Sequence, residues 1–175
     1  MTSRAGEPFQ RARAVAEAEE LLAAPVRSTG PTVARGVPLT GEWSATDGAG
    51  FRIVPLWEGP SLTGVYGREW NDAEDAAEGH LVALADELDR RWGPHRTIQV
   101  HTAVHERQTG GTVGPLFEAL FSQDLYGDLT VWGPVGPAGR WFAVTVGHSD
   151  GDAPLVLAAL VGEGGDPGVG GMAAW

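Results

Sequence analysis

The chain has 175 residues, 42% of them hydrophobic, so it is long and apolar enough for one domain with a sizeable core. Its 23 acidic residues face 12 basic ones, all of them arginine, and the net charge is −11. The absence of lysine and cysteine excludes Schiff-base and P-loop lysines, thiol nucleophiles and cysteine-ligated zinc, and the negative charge argues against nucleic acid as a partner.

The chain has no apolar stretch of the length that a membrane-spanning helix needs, and residues 1–10 lack the hydrophobic core of a signal peptide. We therefore expect a cytoplasmic protein without a membrane partner. The acidity belongs mainly to residues 51–175, because residues 1–50 carry nearly as many arginines as acidic residues.

The first 50 residues are predicted to form a helix and a connector. Residues 8–24 are rich in Ala and Glu, and Pro8 and Pro25 suit the start and the end of a helix. The apolar face of this helix is thin. Residues 25–50 contain several Pro, Gly, Ser and Thr residues, which indicates an irregular connector that Trp43 could order.

Residues 51–92 are predicted to form two strands and a long helix. Residues 51–57 and 62–70 read as a hairpin around the Gly59-Pro60 turn. Residues 71–92 follow with apolar residues at helical spacing, capping residues at the front and arginines in the last turn. This helix carries much of the acidity of the chain.

The remainder is predicted to contain four more strands and a short helix. Residues 97–104 alternate as a strand, residues 107–114 form a glycine loop, and residues 115–121 suit a short helix opened by Pro115. Turn residues separate three further strand-like segments, which gives an antiparallel meander. These segments are residues 129–135, 140–148 and 154–161.

These elements predict an α+β fold with a single mixed or antiparallel sheet of about six strands and helices packed on one face. Residues 51–161 form the domain, preceded by residues 1–50 and followed by a flexible glycine-rich tail, residues 162–175. In the segment 140–148, Phe142 and Val144 share one face while Trp141 and Ala143 share the other, so both faces of that strand can be partly covered.

His101, His105 and Glu106 form the sequence HxxxHE, which is a candidate for metal binding or general base chemistry. On a helix the two imidazoles would share a face and could bind one zinc ion. On the predicted strand, four residues span roughly 13 Å, so a common ligand is out of reach. We expect no metal and no cofactor, and these three residues define an alternative hypothesis, a small enzyme or ligand-binding domain.

The segment GHSDGD contains His148, Ser149, Asp150 and Asp152, which invites comparison with a catalytic triad or a calcium loop. Adjacent residues of one turn cannot supply nucleophile, base and orienting acid together, and no closing glutamate follows for calcium. A hairpin turn accounts for the segment, and we expect no catalytic residues in the chain.

Tryptophan and acidic residues come together around the long helix. Trp57 and Trp70 lie beside acidic residues, and residues 69–89 contain acidic residues without arginine. Aromatic residues rimmed by one sign of charge are typical of protein-binding surfaces, although core tryptophans and a solvated helix face are the ordinary alternative. The candidate partner-binding residues are Trp57, Trp70, Asp72, Glu74, Asp75, Glu78, Asp150 and Asp152.

Two segments carry a resemblance to a known group of proteins. Residues 67–100, GREWNDAEDAAEGHLVALADELDRRWGPHRTIQV, contain a helix ending in RWG, and residues 129–161, LTVWGPVGPAGRWFAVTVGHSDGDAPLVLAALV, contain a meander with a GRW strand start. With its size and acidity, the region 51–161 resembles actinobacterial immunity proteins encoded beside polymorphic toxins. The resemblance implies a cytoplasmic, non-enzymatic protein that binds and neutralises a cognate toxin. The net charge of −11 in turn suggests that the surface of this toxin is basic. A third hypothesis is an adaptor that assembles through its N-terminal helix.

Overall fold

The structure, a computed structural model, describes residues 6–38, 42–147, 152–165 and 167. In these residues the chain forms four α-helices and seven β-strands. The helices are α1 (Arg11–Ala23), α2 (Gly67–Trp92), α3 (His101–Gln108) and α4 (Pro115–Ser122). The strands are β1 (Val33–Arg35), β2 (Ala45–Gly48), β3 (Phe51–Glu58), β4 (Arg96–Ile98), β5 (Leu129–Val135), β6 (Arg140–Gly147) and β7 (Val156–Gly162).

All seven strands belong to one antiparallel sheet with the order β1-β2-β3-β7-β6-β5-β4. Strand β7 lies between β3 and β6, so that Leu160 is opposite Ile53 on one side and opposite Ala143 on the other. Every residue of β7 is buried, because both of its edges are hydrogen-bonded and both of its faces are covered. Strand β7, the last of the seven strands in the described residues, is therefore at the centre of the sheet.

Strand β6 shows that the core has two sides. Phe142, Val144 and Val146 pack with residues of α1 and α2, whereas Trp141 and Ala143 pack with residues of α3 and α4. The α+β class and the single antiparallel sheet are confirmed. The sheet differs from the prediction in having seven strands and helices on both faces, because β6 and β7 present apolar side chains in both directions.

Residues 25–50, predicted to be an irregular connector, contribute β1 and β2 to the sheet. Trp43 is buried, and its Nε1 donates to Thr46 Oγ1 at 3.0 Å. The Thr46 hydroxyl in turn donates to Gln123 Oε1 at 3.0 Å, just after α4. The connector is ordered by a partner that is distant in the chain, which local sequence patterns do not reveal.

Residues 62–70, predicted to be a strand, form a loop and the first turn of α2. The N–H of Leu62 donates to the carbonyl of Asp152 at 3.2 Å, which holds the loop beside the end of another turn. Trp70 and Ala77 face the core on the α1 and α2 side. The predicted hairpin is wrong because the helical spacing of apolar residues begins before Asn71.

Residues 97–104, predicted to be a strand, are divided between β4 and α3. The carboxylate of Asp128 accepts the N–H of Val100 at 3.0 Å. It thereby satisfies a backbone donor at the start of α3, where the N-cap residue forms no side-chain hydrogen bond. Val100 and Ala103 then face the core. The strand ends early because a cap from 28 residues away starts the helix.

Helix α1 packs against α2 and the sheet through its small and aliphatic face. Arg140 of β6 is 9% exposed, and its guanidinium donates to the carbonyls of Leu22 and Ala24 at the end of α1. A cation at a helix C-terminus is favourable because it complements the helix dipole. Arg140 also pairs with Glu163 at 3.1 Å, after β7. The buried residues of α1 are Ala14, Val15, Glu17, Ala18 and Leu21.

Among the described residues, no helix combines the length and the apolar character that crossing a membrane requires. Helix α2 is the longest, with 26 residues, and it is strongly charged along its exposed side.

Candidate functional site

The exposed side of α2 carries a group of carboxylates that we call the acidic face. The helix packs on the sheet through its apolar side, which leaves the opposite side in solvent. The buried residues of α2 are Ala77, Leu84, Ala85 and Leu88. The acidic face consists of Asp72, Glu74, Asp75 and Glu78, all of them exposed. The structure thus brings together four of the residues that the sequence singled out.

The carboxylates of the acidic face are not neutralised by ion pairs within the described residues. In residues 6–38, 42–147, 152–165 and 167, no ion pair includes any of its four carboxylates. Other acidic residues are paired: Glu17 accepts from Arg13 at 2.9 Å, and Glu87 accepts from Arg90 and Arg91. Arg90 and Arg91 thus neutralise Glu87 near the end of α2, whereas Arg68 in its first turn forms no ion pair with the acidic face within the described residues.

Glu78 shows the effect of this crowding. Partial burial raises its pKa, and the negative charges of Glu74 and Asp128 raise it further. Glu74 lies one helical turn before Glu78, and Asp128 precedes β5. Glu78 therefore keeps its proton to a higher pH than an isolated glutamate, first because of its partial burial and then because of the neighbouring carboxylates.

Trp57 and Trp70, the proposed aromatic anchors, are each partly buried. Trp57 is half-buried, its Nε1 donates to the carbonyl of Glu7 at 2.8 Å, and its ring meets His80 edge-on at 4.8 Å. Trp70 is half-buried and packs on the core from the first turn of α2. Both tryptophans therefore contribute to the packing beneath α2 and keep part of their surface in solvent.

Two exposed apolar residues that the sequence did not single out belong to α2 or directly precede it. Tyr66, just before α2, is 77% exposed, and Val82 is 55% exposed. Val82 has Glu78 one turn before it and Asp86 one turn after it. Val82 interrupts the polar pattern of the exposed side, which is the signal that could have found it. An apolar spot rimmed by carboxylates has the composition of a binding hot spot.

The turn before β7 is tied to this region in part. Asp152 is exposed, and its carbonyl accepts the N–H of Leu62 in the loop that leads to α2. Asp150 lies outside the described residues, as do His148 and Ser149.

His101, His105 and Glu106 lie on α3, not on a strand. Because His101 and His105 are four residues apart on a helix, they share one exposed face, which corrects the prediction that they are too far apart for a common ligand. Glu106 points elsewhere, against Gly111. Within the part of the chain that the structure describes, no group of three or more His, Cys, Asp or Glu residues is arranged to hold a metal ion.

The glycine loop after α3 uses its backbone donors internally. Gly110 N–H donates to the carbonyl of Arg107 at 3.2 Å, and Gly111 N–H donates to that of Glu106 at 2.9 Å. These bonds close the C-terminus of α3. The two N–H groups are therefore not presented to an anion.

Asp89 forms a hydrogen-bonded centre that the sequence did not indicate. Its Oδ1 accepts from His95 Nδ1 at 2.9 Å and from Trp132 Nε1 at 2.9 Å. Burial alone would raise the pKa of Asp89, but the hydrogen bonds from His95 and Trp132 hold it below its ordinary value. These hydrogen bonds join the end of α2 to the following loop and to β5.

No protein-family model, no curated protein and no solved structure matches this chain. The functional argument therefore rests on the surface of the molecule.

Proposed function

We propose that the chain is an immunity-type protein that binds and neutralises a cognate protein toxin through the acidic face of α2. The observation that carries the proposal is a set of four exposed carboxylates without an ion pair in the described part of the chain. The resemblance of residues 51–161 to immunity proteins encoded beside toxins points to the same class. Such a protein would act in the cytoplasm.

The chemistry of the surface favours a basic protein as the partner. A field of one sign steers an oppositely charged partner and raises association rates by about 10–10³. Tyr66 and Val82 supply apolar contacts at the helix start and in the middle of α2. Trp57 and Trp70 pack against the core between the sheet and α2 and so support the helix. Asp152 adds a carboxylate beside the loop that precedes α2. Asp150, which lies outside the described residues, is included on the grounds of the sequence alone.

The test is a binding measurement with the protein encoded by the adjacent gene. We expect a 1:1 complex by size-exclusion chromatography with light scattering, and rescue of cells that express the toxin. Combined Asp72→Asn, Asp75→Asn and Glu78→Gln substitutions should slow association about tenfold or more at low salt. The effect should shrink as salt is added, because salt screens exposed charges.

A matched control removes the same number of charges elsewhere. The substitutions Glu20→Gln, Glu42→Gln and Glu106→Gln affect exposed carboxylates outside the acidic face, and this variant should keep most of the affinity. Equal loss in both variants would show that only net charge matters. No complex with the neighbouring product, or a complex that the acidic-face variant leaves unchanged, would contradict the proposal.

A further inference from the structure

Two exposed histidines on α3 form a pair that the proposed function does not use. His101 and His105 are four residues apart, so their side chains leave the same face of the helix one turn apart. Val100 and Ala103, on the other face of the helix, are buried in the part of the core that contains α4. The pair therefore faces solvent on the side of the sheet opposite to α2, and its role does not depend on the proposed function.

The imidazoles of this pair are not engaged by the fold, in contrast to those of two other histidines. The His95 ring is hydrogen-bonded to Asp89 at 2.9 Å, and the His80 ring packs against two aromatic rings. Neither His101 nor His105 forms a side-chain hydrogen bond, an ion pair or a ring contact with any residue that the structure describes. Their ring nitrogens are therefore available to a ligand from solvent.

The helix that carries the pair is fixed at both ends. At its start, the Asp128 carboxylate accepts the N–H of Val100 at 3.0 Å. At its end, the Thr109 hydroxyl donates to the carbonyl of His105 at 3.0 Å. The separation of the two histidine backbones is thus set before a ligand binds, so less conformational freedom is lost on binding than in a flexible segment.

The other charged side chains of α3 are directed away from the pair. Arg107 is two residues after His105, so it leaves the helix on a different side, where its Nε lies 3.4 Å from a carboxylate oxygen of Glu118 on α4. The Glu106 side chain lies against Gly111 in the loop after the helix. Among the described residues, no further His, Cys, Asp or Glu completes a group of three with the pair. The ligand set is therefore two imidazoles, without a carboxylate.

We propose that His101 and His105 together bind one divalent transition-metal ion through a nitrogen of each imidazole. Residues one helical turn apart have Cβ atoms about 5–6 Å apart, and metal–nitrogen bonds of about 2.0–2.1 Å allow one ion to bridge two such rings. Imidazole ligands favour copper, nickel and zinc, whereas magnesium and calcium prefer oxygen. The expectation of no metal rested on a strand at these positions, which the structure replaces with a helix. Two protein ligands leave further coordination positions to water or to another molecule.

The probe is the paramagnetic ion Cu²⁺, titrated into the full chain and followed by backbone amide NMR. We expect a saturable loss of signal centred on residues 100–109, because Cu²⁺ binds nitrogen ligands more tightly than the other divalent ions of its row. Mg²⁺ at the same concentration should leave these signals unchanged, because it prefers oxygen ligands. The proposal is overturned if no saturable change occurs, or if the loss of signal is confined to the acidic face.

Variants separate the paired geometry from the mere presence of histidine. His101→Ala and His105→Ala should each weaken Cu²⁺ binding at least about tenfold, because even groups that only orient a metal ligand contribute about 10–100-fold to metal affinity. The combination of His105→Ala with Glu106→His keeps two histidines on α3 but places them on different sides of the helix, so it should bind as weakly as the single variants. Glu106→Gln alone should bind like the parent. All three positions are exposed, and the amide spectra show whether each variant is folded. A folded single variant, or a folded variant with the displaced histidine, that binds Cu²⁺ as tightly as the parent would refute the proposal.

Discussion

Asp89 connects groups that are far apart in the chain through a single carboxylate. It lies near the end of α2, accepts from His95 in the following loop and from Trp132 on β5, and so fixes the helix end to the sheet. The backbone N–H of His95 also donates to it, at 3.0 Å. This carboxylate therefore fixes the C-terminal end of α2, while the apolar residues of the helix hold the rest of it on the core.

We expect Asp89→Asn to destabilise the fold by about 1–3 kcal/mol at neutral pH, because it weakens hydrogen bonds to a charged acceptor. The pKa of Asp89 is lowered in the folded state. Its stabilisation is therefore present above the ordinary aspartate pKa and is lost as the pH falls through the lower folded value. Urea denaturation across this range should show the variant and the parent converging in acid.

Asp86→Asn is the matched control for this measurement. Asp86 lies on the same helix but is exposed and makes no ion pair within the described residues, so the change should stay within about 0.5 kcal/mol. A loss for Asp86→Asn as large as that for Asp89→Asn would mean that helix charge, and not the hydrogen-bonded centre, causes the effect.

At the scale of the element, α2 contains a glycine in its middle that packing does not require. A Cβ built on Gly79 would meet nothing within 4 Å. Glycine in a helix interior is unfavourable because its backbone loses more freedom on folding than that of alanine. Helix α2 is thus less stable than the same helix would be with alanine at position 79.

We expect Gly79→Ala to stabilise the protein by about 0.5–1 kcal/mol. Gly93→Ala should do the opposite, because Gly93 ends α2 with a φ of 89° that disfavours any side chain. Thermal denaturation of both variants and the parent checks the pair. A destabilising Gly79→Ala would contradict the open environment seen at this position.

An element could be predicted from the sequence where the residues that determine it lie within it or next to it in the chain. The helical spacing of α2 and the turn residues between β5, β6 and β7 are local, and they predicted those elements correctly. The boundary between β4 and α3 depends on Asp128, and the ordering of residues 25–50 depends on Gln123. No periodicity reveals partners at that distance, so these segments were predicted wrongly.

The proposed binding surface could likewise be predicted only where it depends on residues close together in the sequence. The carboxylates of the acidic face follow from helix spacing alone. The burial of Trp57 and Trp70 does not, because it depends on α1 and on the segment before it. The shared face of His101 and His105 was not foreseen, because it required α3 to be a helix.

At the scale of the whole molecule, β7 joins the two sides of the core. Its residues alternate between the α1 and α2 side and the α3 and α4 side, as Leu157 and Leu160 show. Because both clusters share this strand, we expect them to unfold together.

Leu160→Ala tests this coupling. Leu160 is fully buried, and truncation should cost about 2–5 kcal/mol through lost transfer energy and the cavity left behind. Tryptophan fluorescence and far-UV circular dichroism should shift together. Val33→Ala, on the exposed strand β1, should cost less than about 0.5 kcal/mol. Separate transitions for the two signals would show that the layers unfold independently.

The central position of the last strand has a consequence for how the protein is made. Until β7 emerges from the ribosome, β3 and β6 each present a bare strand edge, and an open edge is a template for pairing with other chains. The nascent chain is therefore most prone to aggregation after β6 and before β7 has been synthesised. When β7 is added, it pairs with both edges and joins the two half-sheets into one continuous sheet.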